Sequence, residues 1–326
     1  MNKDRKKINL RGLPRNIWAV SFTSFFMDIS SEMVINIIPL FLSNVLGVRT
    51  NIIGLIEGVA ESTASILKLF SGWLSDKLRK RKWLAVAGYA FSALSKPFFY
   101  FANSWMAVAG VRWADRVGKG VRTAPRDALV ADSINKEQRV LAFGFHRAAD
   151  TAGAMLGLCI AFVVIWLTQS SAVKLGVSTF RTVVLISLVP AALAVLSLAV
   201  GAKEVPIKGK PKMPRFAFKS LGKRFMIFMV IVGLFDIGNS SDAFLVLRAQ
   251  ERGVSVMNIL AMLIVFNLVY MLISTPAGML SDRIGRRKMI IAGWLIYALV
   301  YLGFGLAQTG WQIWMLYVVY GLYYGL

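Results

Sequence analysis

Residues 72–82 read GWLSDKLRKRK, and residues 278–288 read GMLSDRIGRRK. Each copy closes a long apolar run and opens a basic loop, and the two stand 206 residues apart. A shorter echo, SSEM at 30–33 and SSDA at 240–243, has an offset of 210. Two echoes at nearly one offset mark a tandem repeat. The chain therefore reads as two halves of like design.

The composition suits a bilayer. Of 326 residues, 57% are hydrophobic and 17% charged, with 21 Phe, 14 Met and 9 Trp; a soluble domain carries about a quarter charged residues. A hydrocarbon core takes roughly 20 apolar residues per helical span. Windows near 17–44, 51–75, 83–103, 105–124, 138–168, 182–202, 225–248, 255–281, 289–308 and 311–326 meet that pattern or approach it. The expected fold class is all-α, a polytopic α-helical membrane protein. Residues 1–202 are expected to form a six-helix N-terminal bundle, 203–224 a basic linker rich in Lys and Pro, and 225–326 a partial C-terminal bundle of helices seven to ten. The last apolar stretch runs to the final residue without a closing charge, so the chain is expected to be a fragment cut inside its tenth span.

The net charge of +22 would suit nucleic acid, but its placement does not. Lys3, Arg5, Lys6, Lys7, Arg11 and Arg15 precede the first span; Lys77, Arg79, Lys80, Arg81 and Lys82 follow the second; the linker and the loop Arg283, Arg286, Arg287, Lys288 continue the series. The alternate connectors hold only Arg49, Lys174, Arg181, Arg248 and Arg252. This is the positive-inside pattern, and basic loops also suit an anionic cytoplasmic leaflet. The sequence thus predicts a multi-pass protein of the cell (inner) membrane with a cytoplasmic N-terminus, monomeric, with the lipid bilayer rather than nucleic acid as its partner. The first apolar run is too long and too acidic for a cleaved signal. A single Cys159 allows no internal disulfide, and one Cys with one His gives no structural zinc site. No metal and no cofactor are expected.

The spans carry charges that oil should exclude. Ser21, Ser24, Asp28, Glu32 and Asn36 follow spacings of 3, 4, 4 and 4, one stripe of a helix. Glu57, Glu61 and Lys68 share a face of span two, with neutral Asn267 at the counterpart of Glu61. Span four holds Arg112, Asp115, Arg116 and Lys119, with Arg122 and Arg126 beyond; span five holds His146 and Asp150; span seven holds Asp236 and Asp242 beside Asn239, Ser240 and Ser241. A charge at the bilayer centre costs at least about 2.5–3.5 kcal/mol, so these groups must face protein or a watery cavity. Two readings stay open. Some are structural ion pairs, for instance Glu61 or Asp150 with Arg116. Others carry protons, Asp28 foremost, by exchanging partners between conformations. His146 lies about two turns from the start of span five and is expected to be a water-exposed histidine near a helix end. Trp18, Trp105 and Trp311 read as interface anchors.

The loops resemble the signature of the major facilitator superfamily, Gly-x-x-x-Asp-[Arg/Lys] with clustered bases, here Gly72, Asp76, Lys77 and Gly278, Asp282, Arg283. The first copy has Arg79 where the pattern has Gly; the second keeps Gly285. Arg116 and Gly120 match a motif of span four. Gly144, Gly153 and Gly157 match a helix-five motif of antiporters, with Leu158 at its Pro and Ala161 at its last Gly. DISSEM, DRVGKGVRTAPRDAL and GNSSDAFLVLRA are similar to a bacterial efflux-permease-like subgroup. The resemblance implies twelve spans in two pseudo-symmetric bundles, alternating access to a central cavity, and charged latches at the two signature loops.

The expected function is secondary active transport, proton-coupled efflux of a small molecule in exchange for protons. Asp28, Glu32, Glu61, Arg112, Arg116, Asp150 and Asp242 are the candidates for proton coupling and the substrate pathway. Proton-coupled uptake of a small anionic metabolite is the alternative, with Arg112, Arg116 and Lys119 as its anion face. A non-transporting sensor or assembly protein on the same scaffold is a third. No Gly-x-x-x-x-Gly-Lys-[Ser/Thr] occurs, so ATP is not the energy source. An intramembrane lipid transferase would want clustered Asp around Mg²⁺; each loop offers one Asp among bases, and no enzyme is expected.

Overall fold

The computed structural model describes residues 12–169, 173–206 and 222–325. The bases Lys3, Arg5, Lys6, Lys7 and Arg11, and most of the linker, lie outside them. The described chain is helical, with α1 (Arg15–Ile35), α2 (Ile38–Asn44), α3 (Thr50–Leu78), α4 (Arg81–Ser95), α5 (Phe98–Phe101), α6 (Trp105–Asp132), α7 (Arg139–Gln169), α8 (Val177–Gly201), α9 (Lys223–Gly238), α10 (Asp242–Glu251), α11 (Val256–Ile284), α12 (Arg286–Leu306) and α13 (Gly310–Gly325).

Among the described residues, three of the ten expected spans are broken helices. Span one pauses between α1 and α2 at Asn36 and Ile37, just before Pro39. Span three pauses between α4 and α5 at Lys96 and Pro97. Proline cannot donate to the preceding turn, so each break falls where the ladder is lost. Span seven pauses at Asn239 to Ser241, where the Ser241 side chain caps α10 by accepting from the Ala243 amide. Among the described residues, six segments are long and apolar enough to cross a membrane by length and composition: 15–44, α7, α8, 223–251, α11 and α12. The others have visible reasons to fall short. Charges interrupt α3 and α6, Lys96–Pro97 interrupts span three, and α13 has 16 residues.

In the first half α1 packs on α7 and α8, and α6 packs on α3 and α4. Glycine permits the closest approaches. A Cβ on Gly157 would meet the Ile29 carbonyl oxygen at 2.5 Å, and one on Gly153 would collide with the Phe25 carbonyl, so α7 lies backbone to backbone on α1. In the second half α11 and α12 pack on α13, and α7 with α11 joins the halves. Small residues at such contacts are how helices associate in lipid, where no hydrophobic drive separates helix from tail. Large apolar side chains such as Leu69, Trp166, Val200, Ile237 and Leu299 stay on the outside, the surface a bilayer would cover.

The two ends of the bundle differ. At the basic end, Arg15 donates to the carbonyls of Val200 and Gly201, Asn16 to Ser133 and Lys203, and Glu204 accepts the amides of Arg81 and Lys82. These bonds stay within the first half, and so does the apolar cluster there (Leu13, Ile17, Val20, Ala85, Leu129, Leu198). At the far end one apolar cluster takes residues of both halves, including Phe41, Val48, Ile53, Leu245, Val256 and Ile259. A Cβ on Gly54 would sit 2.5 Å from the Phe244 ring there, and Gln250 donates to the Val173 carbonyl at 3.0 Å. Towards the basic end α7 and α11 part. Arg147 donates to the Tyr270 hydroxyl at 2.8 Å, but Gly144 and Gly278 each have nothing within 4 Å of an added Cβ. Among the described residues, the halves meet at the far end and along α7 and α11 as far as Arg147 and Tyr270, and the glycines beyond, Gly144 and Gly278, meet nothing.

Candidate functional site

The polar stripe of α1 turns from packed to open along its length. Ser21 and Ser24 are buried, whereas Asp28, Glu32 and Asn36 are half-buried. Glu32 accepts from Asn36 Nδ2 at 2.8 Å, one turn on. Asp28 makes no ion pair among the described residues. It lies in the combined field of Asp150 and Glu32 on one side and Arg122 and Arg126 on the other.

Behind this stripe is a buried layer of paired charge. Arg112 donates Nε to Glu57 Oε1 at 3.0 Å and Nη2 to Oε2 at 2.6 Å. Arg116 reaches Glu61 at 3.1 Å, and Arg112 lies 3.6 Å from the same carboxylate. Asp115 is 3.9 Å from Arg112. Arg122 lies 4.5 Å over the Tyr89 ring, a cation held on a π face. Tyr89 and Arg126 both meet Ser24, at 3.1 and 3.2 Å. Spacings of 4, 3 and 3 between Arg112, Arg116, Lys119 and Arg122 put these bases on adjoining faces of α6, and Gly88, Gly118 and Gly120 let α3 and α4 close on it.

Of the two pairings expected for Arg116, the one with Glu61 is present. Asp150 instead has His146 at 3.7 Å. The expectation of a water-exposed His146 is corrected: the ring is buried. It belongs to the stripe Ala142, His146, Gly153 and Gly157, the face of α7 turned inward, so two turns from the helix end it already meets protein.

The sequence reading passed over Lys96. It is 2% exposed, and its Nζ donates to Ser30 Oγ at 2.5 Å and Ser31 Oγ at 3.0 Å. Serines 30 and 31 are the pair that recurs as 240 and 241 in the repeat. There Tyr301 of α12 takes the place of the lysine, sharing a 3.0 Å bond with Ser240 Oγ. The signal available was a lone Lys beside Pro97 within the apolar window of span three.

In the second half, Asp242 accepts from the Tyr320 hydroxyl at 2.7 Å and the Tyr324 hydroxyl at 3.1 Å. Asp242, Lys119 and Glu61 are all exposed to solvent. At the signature loops, Gly72 admits Ala124 of α6 to 3.3 Å of an added Cβ. Asp76 pairs with Arg81 at 3.2 Å, and Arg81 also binds Asp132. Lys77 lies over Trp73 at 5.0 Å. Gly278, Asp282 and Arg283 of the second copy are open or only partly covered. The Asp76 pair therefore stays inside one half. Among the described residues no cluster of metal ligands occurs.

The Major Facilitator Superfamily profile matches residues 20–326. The chain belongs to this family of transporters. An uncharacterized MFS-type transporter of Methanocaldococcus jannaschii is 35% identical over 332 residues, covering 100% of this chain and 81% of that protein. The quinolone resistance protein NorA of Staphylococcus aureus is 24% identical over 143 residues, 44% of this chain and 36% of NorA. A bacterial homolog of the human lysosomal transporter Spinster, in an inward-facing and occupied conformation, superposes with a TM-score of 0.71 at 16% identity, covering 95% of this chain and 72% of that one. The superfamily chain is thus an all-α, multi-pass membrane protein.

Proposed function

We propose that this MFS protein exports a small molecule from the cytoplasm in exchange for protons. The observation that carries the reading is Asp28 on the half-buried part of the α1 stripe, within the field of Asp150 and Arg126. A carboxylate that is wet, near a second acid and near a guanidinium can take up a proton, and losing its charge changes which partner holds it. Basic loops favour a cytoplasmic position for that end and for the N-terminus, in the cell membrane. That orientation supports an inward-facing reading, in which closing the basic end would bring the Asp76–Arg81 and Asp282 loops together as latches. Glu32, Glu61, Asp150 and Asp242 are the further pathway carboxylates. Arg112 serves mainly as a structural cation, and Arg116 holds Glu61 until the halves move. A monomer is the proposed unit.

Lys119 and Arg147, both exposed, favour a second reading, proton-coupled uptake of a small anion. Inverted membrane vesicles acidified inside separate the two. Adding candidate substrates outside should alkalinise the interior in native vesicles and not in Asp28→Asn vesicles. Alkalinisation unchanged by Asp28→Asn would remove Asp28 from the coupling. Proton-linked loss of a preloaded anion from the same vesicles would favour uptake.

A further inference from the structure

Asp242 stands among aromatic hydroxyls. Glu57, Glu61 and Asp115 each have a basic partner within 4 Å, Asp28 and Asp150 each lie in the field of two arginines, and Glu32 is met by Asn36. Among the described residues Asp242 has no ion pair, and its polar partners are phenols. Those phenols come with their rings. Tyr320 and Tyr324 stand edge to face at 5.1 Å, and Phe266 packs on them at 5.5 and 5.1 Å. The Tyr317 hydroxyl, buried and without a hydrogen-bond partner, lies within electrostatic reach of the same carboxylate.

The place is accessible. Asp242 is open to solvent and Tyr324 is 43% exposed. It also borders the first half, since Tyr270 stacks edge-on to Tyr324 at 6.1 Å and receives the Arg147 hydrogen bond at 2.8 Å. The break of span seven sets Asp242 at the first residue of α10, and a break of this kind is where transporter helices expose their binding groups.

We propose that Asp242, Tyr320 and Tyr324 form the recognition subsite for an organic cation with a flat apolar body, the substrate class of the export reading on which this rests. A carboxylate offers about four acceptor positions, and two phenols leave room for a ligand's ammonium. Ring faces carry negative potential, so the same cage attracts the cation's charge and covers its apolar surface. An anion would meet an uncompensated carboxylate, and a neutral ligand would have no use for one.

The test is equilibrium binding of ethidium, a planar aromatic cation, to the purified protein by fluorescence anisotropy, with anionic fluorescein as the contrast. Asp242→Asn and Tyr324→Leu should each weaken ethidium about tenfold or more, and Tyr324→Phe, which keeps the ring, only about two- to threefold. Where Asp242→Asn fails to elute as a single species, the Leu and Phe variants of Tyr324 decide alone. Equal ethidium affinity in the native protein, Asp242→Asn and Tyr324→Leu would overturn the subsite, as would tighter binding of fluorescein than ethidium. Asp242-dependent ethidium binding without proton-linked flux would leave the subsite standing and remove the export reading.

Discussion

Arg112 grips both oxygens of Glu57, and the two side chains are almost wholly buried together. Removing one partner of such a pair strands the other charge and destabilises by about 3–5 kcal/mol. Glu57→Leu is therefore expected to lower the unfolding temperature of the purified protein strongly. Glu61→Gln acts on a half-open side chain and is expected to change stability by no more than about 1 kcal/mol. Thermal unfolding followed by tryptophan fluorescence compares the two, and a larger loss for Glu61→Gln would reverse their assigned roles.

Lys96 ties the α4–α5 break to Ser30 and Ser31. Lys96→Ala removes both bonds and leaves space in a packed layer, and a loss of about 2–5 kcal/mol follows. Lys96→Met keeps the volume and loses only the bonds, so a milder loss of about 1–3 kcal/mol is expected. Equal unfolding temperatures for the two variants would mean that packing is not what the lysine stem supplies.

The three helix-five glycines separate by contact. Gly157→Ala forces α7 away from the Ile29 backbone and is expected to destabilise by about 1–3 kcal/mol. Gly144→Ala meets open space and gains helix propensity, up to about 1 kcal/mol. Chemical unfolding of both variants checks the order. The order matters because resemblance alone treats the three as one motif.

The signature loops make a second contrast. Gly285 has φ 93° and ψ 140°, a conformation open almost only to glycine, so Gly285→Ala should cost about 1–3 kcal/mol. Arg79 occupies the equivalent turn in the first copy with φ 54° and ψ 27°, the left-handed region that disfavours L side chains by about 1–2 kcal/mol. Arg79→Gly is expected to relieve that strain. Thermal unfolding of Arg79→Gly below the native protein would show that the arginine's contacts outweigh the backbone term.

How much of this the sequence carried depended on periodicity. The α1 and α3 stripes were legible because 3- and 4-residue spacings, or their sum, repeat, and charge exclusion narrowed the partner of Arg116 to Glu61 or Asp150 without choosing between them. The burial of His146 was also encoded, since Ala142, His146, Gly153 and Gly157 share a face, but distance from the helix end was given more weight than that face. Lys96 has no periodic partner; only the fold brings span three against the serines of span one. The Asp242 cage was hidden for the same reason. Its tyrosines sit on α13, about 80 residues along the chain, and no spacing rule links them.

On the proposed inward-facing reading, the apolar cluster shared by the halves would also be an electrical insulator. Water reaching Asp28 from the basic end would carry that side's potential inward, so the transmembrane voltage would fall mainly across the apolar packing that includes Phe41, Ile53, Leu245 and Ile259. A proton released on the other side would then cross most of the drop within that packing. Each elementary charge so moved is worth about 2.3 kcal/mol per 100 mV, which makes membrane voltage a driving force on the cycle wherever the exchanged charges do not balance.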